Sequence, residues 1–176
     1  DGTRYLALGT DRKLYIFSEG KVYDITPIRR TASLTNPFAT SSGSATVTVT
    51  DAGHLAEVGA FVTFDNGSAT NVVDGIDFNA EFEVLTVPSS NTYTINAGTN
   101  ASGTTAAGGG STDASYQINP GPTSSTYGYG WGTETWGAST WDTPRSSSNV
   151  VVAGRNWSLD NFGEDLIATV LDGGTF

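Results

Sequence analysis

Most of the chain consists of short runs in which apolar or β-branched residues alternate with polar ones. The run Ala45-Thr46-Val47-Thr48-Val49-Thr50 shows this two-residue period most clearly, and such a period is typical of a strand with one buried face. Clusters of Gly, Asn, Asp and Pro separate the runs, as turns between strands require. No long apolar stripe of helical period is visible. The pattern therefore predicts an all-β fold made of short strands.

Residues 1–30 are predicted to form a β-hairpin. The run Leu14-Tyr15-Ile16-Phe17 is rich in strand-forming residues, residues 18–21 have the composition of a turn, and Val22-Tyr23-Asp24-Ile25 is the returning strand. Residues 4–10 are predicted to form a further strand. Pro27 ends the hairpin because proline cannot donate a hydrogen bond to a β-ladder.

Residues 31–119 are predicted to form a small β-barrel or sandwich. Strands are expected at residues 45–50, 58–64, 78–87 and 92–95, with turns rich in Gly, Asn, Asp and Pro between them. Within residues 78–87 the side chains expected to face inward are Phe78, Phe82, Val84 and Leu85. Residues 96–115 have a low-complexity Gly/Ala/Ser/Thr composition, which predicts a flexible loop or linker.

Residues 120–149 are predicted to form a Gly- and Trp-rich irregular arm. A Gly-rich arm has little means of folding alone, and aromatic rings commonly anchor protein interfaces. We therefore expect its rings to pack on a neighbouring domain or subunit, and the alternative is a platform that stacks against sugars. The candidate interface residues are Tyr127, Tyr129, Trp131, Trp136, Trp141 and, beyond the arm, Trp157.

Residues 150–176 resemble residues 1–30 in their pattern of turn residues and apolar runs. Gly163-Glu164-Asp165 precedes an apolar run, as Gly9-Thr10-Asp11 does near the start of the chain. Two similar hairpins on either side of a different block indicate a repeat fold interrupted by an insertion, and short repeated hairpins are typical of β-propeller blades. The chain begins without Met and stops within a strand-like run, so we expect it to be a segment of a longer polypeptide.

Charge and composition narrow the possible functions. The net charge of the chain is −10. Residues 31–144 contain ten of the 18 acidic residues and none of the eight basic residues. An acidic block of this kind argues against specific nucleic-acid binding. The chain has no Cys, which excludes disulfides and thiolate metal sites. No apolar run is long enough for a membrane helix, so membrane insertion is not expected.

Two groups of residues could carry catalysis. His54 lies near Asp51 in a predicted turn without a nucleophile motif, which favours a turn-capping role over a hydrolytic one. Asp160, Glu164 and Asp165 could form a glycosidase subsite, but the segments Asp160-Asn161 and 163–165 have the composition of ordinary turns. No Asp-x-Asp-x-Asp-Gly spacing supports a calcium site. We therefore predict no catalytic residue, no cofactor, no metal site and no enzymatic activity.

Several segments resemble tail-associated virion structural proteins of tailed bacteriophages. The most specific match covers residues 155–166, and residues 4–17, 23–27 and 131–145 resemble such proteins as well. The inserted block resembles small β-barrel modules of these proteins. The matching residues are His54, Val58-Gly59, Phe82-Glu83-Val84 and Asn91-Thr92-Tyr93-Thr94-Ile95.

Two positions depart from that module pattern. Ala60 replaces the usual Asp, and Leu55 stands where Gly is common, so the first turn is expected to be altered.

The resemblance implies a propeller-like tail component, such as a nozzle or tail-tube adaptor, with the inserted barrel facing outward. Its partners would be other virion proteins and further copies of the chain, and its location would be the virion tail. The alternatives are a tail module that binds a receptor or host-surface glycan, and a capsid decoration protein. The resemblance brings no catalytic residue with it.

Overall fold

The structure is a computed structural model that describes residues 5–68, 70–119, 124–126, 149–151, 157–162 and 165–170. The chain divides into two compact units, Asp1–Pro120 with Phe176, and Gly121–Thr175. All regular secondary structure in the described residues is β. The prediction of an all-β fold is confirmed.

A three-stranded antiparallel sheet, called the hairpin sheet below, begins the first unit. Its strands are β1 (Leu6–Gly9), β2 (Leu14–Ser18) and β3 (Lys21–Asp24), with β2 in the centre. Glu19 and Gly20 connect β2 to β3, and both have positive φ, 50° and 80°, as in the turns that best match the twist of a hairpin. The hairpin predicted from residues 14–25 is confirmed.

The other described residues of the first unit form nine strands. They are β4 (Ile28–Thr35), β5 (Phe38–Ala39), β6 (Thr46–Thr50), β7 (Phe61–Asp65), β8 (Val72–Val73), β9 (Ile76–Asp77), β10 (Glu81–Ser89), β11 (Thr92–Asn96) and β12 (Ser111–Gln117). β8 and β9 pair with each other. The other seven form one sheet, the curved sheet, in the order β4-β12-β7-β10-β11-β6-β5. The sequence predicts a domain boundary between residues 30 and 31, but β4 continues across it.

The curved sheet turns back on itself, because its two edge strands β4 and β5 follow each other in the chain. At the seam, Phe38 N donates to Gly108 O at 3.1 Å, and Gly108 N donates to Phe38 O at 2.8 Å. No continuous ladder joins β4 to β5 within the described residues. The predicted barrel is therefore a curved sheet around one core, held at the seam by an isolated bridge.

Side chains that alternate along each strand fill this core. Phe38 stacks on Phe78 with ring centroids 3.8 Å apart and 9° between the ring planes. The prediction that Phe78, Phe82 and Val84 face inward is confirmed. The prediction for Leu85 is wrong, since its side chain is 38% exposed. Val84 already occupies the inward position, and the next residue along a strand points to the opposite face.

The prediction of a flexible loop or linker at residues 96–115 is wrong in part. β12 begins at Ser111 and lies between β4 and β7, with Ala114 and Tyr116 buried. Before β12, backbone hydrogen bonds tie the segment to the curved sheet, including Ala97 N to Ala45 O at 2.9 Å and Ala101 N to Ser44 O at 2.9 Å. These long-range bonds order a stretch whose composition alone indicates flexibility.

The four strands described in the second unit form two antiparallel pairs. β13 (Ser124–Thr126) pairs with β14 (Asn149–Val151), and β15 (Trp157–Phe162) pairs with β16 (Asp165–Val170). Asp160 and Asn161 lie within β15, so the interpretation of these two residues as a turn is wrong. They pair with Ile167 and Leu166 of β16, and this cross-strand pairing keeps them extended.

Candidate assembly surface

A buried lysine links the hairpin sheet to the curved sheet. Lys13, which is 8% exposed, precedes β2. Its Nζ donates to Asp24 Oδ2 of β3 at 2.9 Å and to Glu81 Oε1 of β10. The same nitrogen lies 4.3 Å from the ring centroid of Phe61. One ammonium group thus bridges carboxylates of both sheets and stacks on a ring of the curved sheet.

The charges of this cluster support each other. Burial disfavours the ammonium form of Lys13, but Glu81 and Asp24 outweigh burial and raise its pKa. Burial likewise opposes ionisation of Asp24, yet hydrogen bonds from Thr26 and Lys13 hold its pKa below the ordinary value. Gln117 adds a donor, with Nε2 2.9 Å from Glu81 Oε2. Lys13 and Asp24 are therefore both charged at neutral pH.

One face of the hairpin sheet has four exposed apolar side chains and also contains Tyr15 and Asp24. Leu6 of β1 lies opposite Phe17 of β2, which lies opposite Val22 of β3, and Leu8 follows on the same face. Each of these four side chains is at least 40% exposed. Neighbouring apolar side chains left open in this way are typical of an interaction surface.

The opposite face of the hairpin sheet forms an open groove of about 530 Å³. It is lined by Tyr5, Ile16, Ser18, Glu19, Tyr23 and Ile25. Tyr5 is 68% exposed and Tyr23 is 49% exposed, and the Glu19 carboxylate and Ser18 hydroxyl add polar atoms. Aromatic rings beside hydrogen-bonding groups can stack on an apolar ring face and bind its polar edge. The sheet thus presents apolar side chains on both faces, as the middle layer of a larger β structure does.

A buried polar network stabilises one end of the curved sheet. Asp51 accepts hydrogen bonds from Arg30 at 2.5 and 3.0 Å and from the Tyr116 hydroxyl at 2.5 Å. The hydroxyls of Tyr93 and Tyr116 are 3.0 Å apart. Burial raises the pKa of both tyrosines, so their hydroxyls remain protonated. Because the Asp51, Tyr93 and Tyr116 side chains are buried, the network is suited to stabilising the fold and not to contact with a substrate.

The turn-capping role predicted for His54 is confirmed. Its Nδ1 accepts a hydrogen bond from Ala56 N at 2.9 Å, which places the ring proton on Nε2. Nε2 lies 3.1 Å from Ser89 O and therefore donates to it. With the side chain 1% exposed and both nitrogens bonded to backbone groups, the imidazole has no free position from which to act as a base.

Most of the predicted interface residues lie outside the described residues, namely Tyr127, Tyr129, Trp131, Trp136 and Trp141. Trp157 is described: it begins β15, is half-buried and pairs with Val170. Of the acidic group, Asp160 and Asp165 lie in β15 and β16, whereas Glu164 is outside the described residues.

The described residues contain neither a candidate metal-binding cluster nor a candidate membrane-spanning helix. No group of three or more His, Cys, Asp or Glu side chains there could hold a metal ion. Likewise, no helix in that part of the chain is long and apolar enough to cross a membrane.

The sequence interpretation missed the exposed apolar and aromatic side chains on the two faces of the hairpin sheet. The available signal was the lack of alternation in Leu14-Tyr15-Ile16-Phe17 and in Tyr5-Leu6-Ala7-Leu8. A strand that is apolar at every position is expected to be covered on both faces.

Comparison with known proteins gives little that constrains function. No protein-family model and no curated protein matches the chain. Among solved structures, the chain is similar to the phage phi92 endosialidase, with a TM-score of 0.43 and 19% identity. The match covers 65% of this chain and 18% of that one, so the chain spans less than a fifth of the endosialidase. The fold is all-β, and its hairpin sheet has large exposed apolar side chains.

Proposed function

We propose that the chain is a structural component of a bacteriophage virion, located in the tail, that assembles with other proteins through its hairpin sheet and aromatic arm. The observation that carries this proposal is the hairpin sheet, which has large exposed apolar or aromatic side chains on both faces and is joined to the curved sheet by the ion pairs of Lys13. A three-stranded sheet with so little buried apolar surface needs a cover, and a structural assembly supplies one.

The tail assignment draws on the sequence resemblance of the segments on either side of the curved sheet. Residues 1–30 and 150–176 would belong to one propeller-like domain, as in a nozzle or tail adaptor, with residues 31–119 as its insertion. The aromatic residues of the arm would fill contacts with neighbouring subunits. The acidic block suits a particle protein that meets DNA without binding it. Its partners would be other virion proteins and further copies of the chain.

Localisation on the particle tests the proposal first. Cryo-EM or immunogold labelling of virions should place the protein at the tail. Labelling spread over the capsid shell would instead identify a decoration protein. As a second test, virions carrying Trp136→Ala and Trp141→Ala should fail to incorporate the protein. Leu85→Ala removes an exposed apolar side chain elsewhere and is the matched control, with normal incorporation expected.

The groove supports a second candidate, a tail module that binds a host-surface glycan. Two exposed tyrosine rings beside a carboxylate resemble the composition of many sugar sites. In a glycan array, binding that is lost in Tyr23→Ala would favour this function through the groove, and loss in Trp131→Ala would favour it through the arm. Tyr15→Ala is the control, since Tyr15 pairs with Asp24 and Leu8 on the other face of the sheet.

We expect no enzymatic activity. The residues with the strongest claim to catalysis are Asp160, Glu164 and Asp165. In β15, Asp160 Oδ1 accepts a hydrogen bond from Asn161 N at 2.8 Å, a local structural bond. Cleavage of a capsular polysaccharide by the wild-type chain, lost when these three residues are replaced by Ala, would overturn this expectation.

A further inference from the structure

One edge of the hairpin sheet has backbone groups without a partner among the residues that the structure describes. In the described residues β1 pairs with β2 alone. Thr10 N donates to Lys13 O at 2.8 Å, which fixes the direction of the backbone groups at the end of β1. Because these groups alternate along a strand, those of Leu6 and Leu8 point toward β2. The N–H and C=O groups of Ala7 and Gly9 therefore point outward.

This edge lacks the usual protection against pairing. The strand Leu6–Gly9 contains no charge and no proline, and its register with β2 has no bulge. The opposite edge, β3, carries Lys21 and Asp24. Natural sheets protect exposed edges with charges, prolines or bulges, so an apolar, regular edge is expected to be paired in the working protein.

The order of residues in β1 is symmetric. Leu6 and Leu8 flank Ala7, so the strand has nearly the same pattern in both directions. We propose that β1 pairs antiparallel with β1 of a second copy of this chain, across a two-fold axis at Ala7, to form a continuous six-stranded sheet. A two-fold interface brings the same patch of both copies together, as a symmetric strand allows.

In this register, side chains of compatible size lie opposite each other on both faces of the six-stranded sheet. Ala7 faces Ala7 of the second copy in a hydrogen-bonded pair, and Leu6 faces Leu8 of that copy. These leucines extend the apolar face that already contains Phe17 and Val22. On the groove face, Tyr5 lies opposite Gly9 of the second copy, where an aromatic ring can cover the exposed backbone of a glycine.

Charge favours this patch over others for contact between copies. Residues 5–27 contain three acidic and three basic residues and are neutral overall, although the chain carries a net charge of −10. Two copies that meet at the hairpin sheet avoid the like-charge repulsion of the acidic block. The proposal does not rest on a tail location or on glycan binding.

A proline substitution tests which edge is used. Ala7→Pro removes an outward N–H and leaves the ladder between β1 and β2 intact. Val22→Pro is the matched control on β3: Ile25 N donates to Leu14 O at 2.9 Å, so the Val22 N–H points outward from the other edge. Sedimentation velocity of the whole chain at increasing concentration should show a dimer for wild type and Val22→Pro. Ala7→Pro should sediment with half that mass.

A cysteine scan tests the position of the axis, because the chain has no Cys of its own. The Cα atoms of a hydrogen-bonded antiparallel pair lie about 5.5 Å apart, within disulfide range. Oxidised Ala7→Cys should therefore run as a covalent dimer, whereas Gly9→Cys and Val22→Cys should stay monomeric. A wild-type chain that is monomeric at all concentrations would overturn the proposal. So would a dimer that tolerates Ala7→Pro, or one that crosslinks through Val22→Cys instead.

Discussion

The Tyr116 hydroxyl donates to Oδ2 of Asp51 over 2.5 Å, and the same carboxylate receives two hydrogen bonds from Arg30. Three parts of the curved sheet meet here: Tyr116 on β12, Arg30 on β4 and Asp51 just after β6. The pairing of a carboxylate with a guanidinium and a phenol satisfies the charge of Asp51 within the protein. This network fixes one end of the core.

Tyr116→Phe should destabilise the protein by about 1–3 kcal/mol, because it removes one donor to Asp51 and the hydroxyl partner of buried Tyr93. The measurement is the free energy of unfolding in urea. Tyr93→Phe should cost less, since it leaves every hydrogen bond to Asp51 in place. Equal effects of the two substitutions would show that the bond between Tyr116 and Asp51 adds nothing.

Asp51 should also make the free energy of unfolding depend on pH in the acid range. Burial opposes its ionisation, but hydrogen bonds from Arg30 and Tyr116 outweigh burial and hold its pKa below the ordinary 3.8. A carboxyl with a lowered folded-state pKa contributes stability above its unfolded pKa, and this contribution is lost as pH falls through the folded pKa. Asp51→Asn should therefore be less stable than wild type at neutral pH.

The difference between wild type and Asp51→Asn should shrink as the pH falls below 3.8, which urea unfolding at a series of pH values would measure. Comparing the two proteins removes the contributions of Asp24 and Asp77, whose pKa values are also lowered. A difference that stays constant down to the acid limit would contradict the role given to the Asp51 charge.

Local pattern was sufficient to predict the hairpin and the turn at His54. Leu14-Tyr15-Ile16-Phe17 and the returning strand are separated by a short turn, so the pairing depends on neighbours in sequence. β12 could not be predicted in the same way. Its sequence Ser-Thr-Asp-Ala-Ser-Tyr-Gln is mostly polar, and it becomes a strand through its pairing with distant β4 and β7.

The candidate site was less predictable than the fold. Lys13 and Glu81 are 68 residues apart in sequence, and no local pattern brings them together. The apolar residues of the hairpin sheet were visible, but which of them remain uncovered depends on the position of every other strand. For this reason the predicted interface residues lie in the tryptophan-rich arm and at Trp157, and none of them lies in the hairpin sheet.

Leu55→Gly should stabilise the protein, and the reason is backbone strain. Leu55 has a φ of 51°, which lies in the left-handed region. Its side chain is 73% exposed, so packing contributes little to stabilise this conformation. This conformation costs a non-glycine residue about 1–2 kcal/mol. Glycine relieves that cost, but its larger unfolded-state entropy reduces the gain in stability by about 0.5–1 kcal/mol. Thermal unfolding should show a higher midpoint for Leu55→Gly.

Val58→Gly is the matched control for that measurement. Val58 is also mostly exposed, but it is not among the residues with positive φ. Glycine there brings its entropy cost without relief of strain, so the unfolding midpoint should fall. A fall for Leu55→Gly as well would mean that the left-handed conformation of Leu55 carries no strain.

Lys13→Met should loosen the hairpin sheet, because it leaves the Asp24 and Glu81 carboxylates facing each other without the ammonium group between them. Hydrogen exchange is the measurement, and the amides of β2 and β3 should exchange faster while those of β6 and β11 are unchanged. Adding Glu81→Gln to Lys13→Met removes one of the two like charges and should restore part of the protection. Arg12→Met, which breaks the exposed ion pair with Glu83, is the control and should have a small effect. If both single variants exchange alike, Lys13 is not the main link between the sheets.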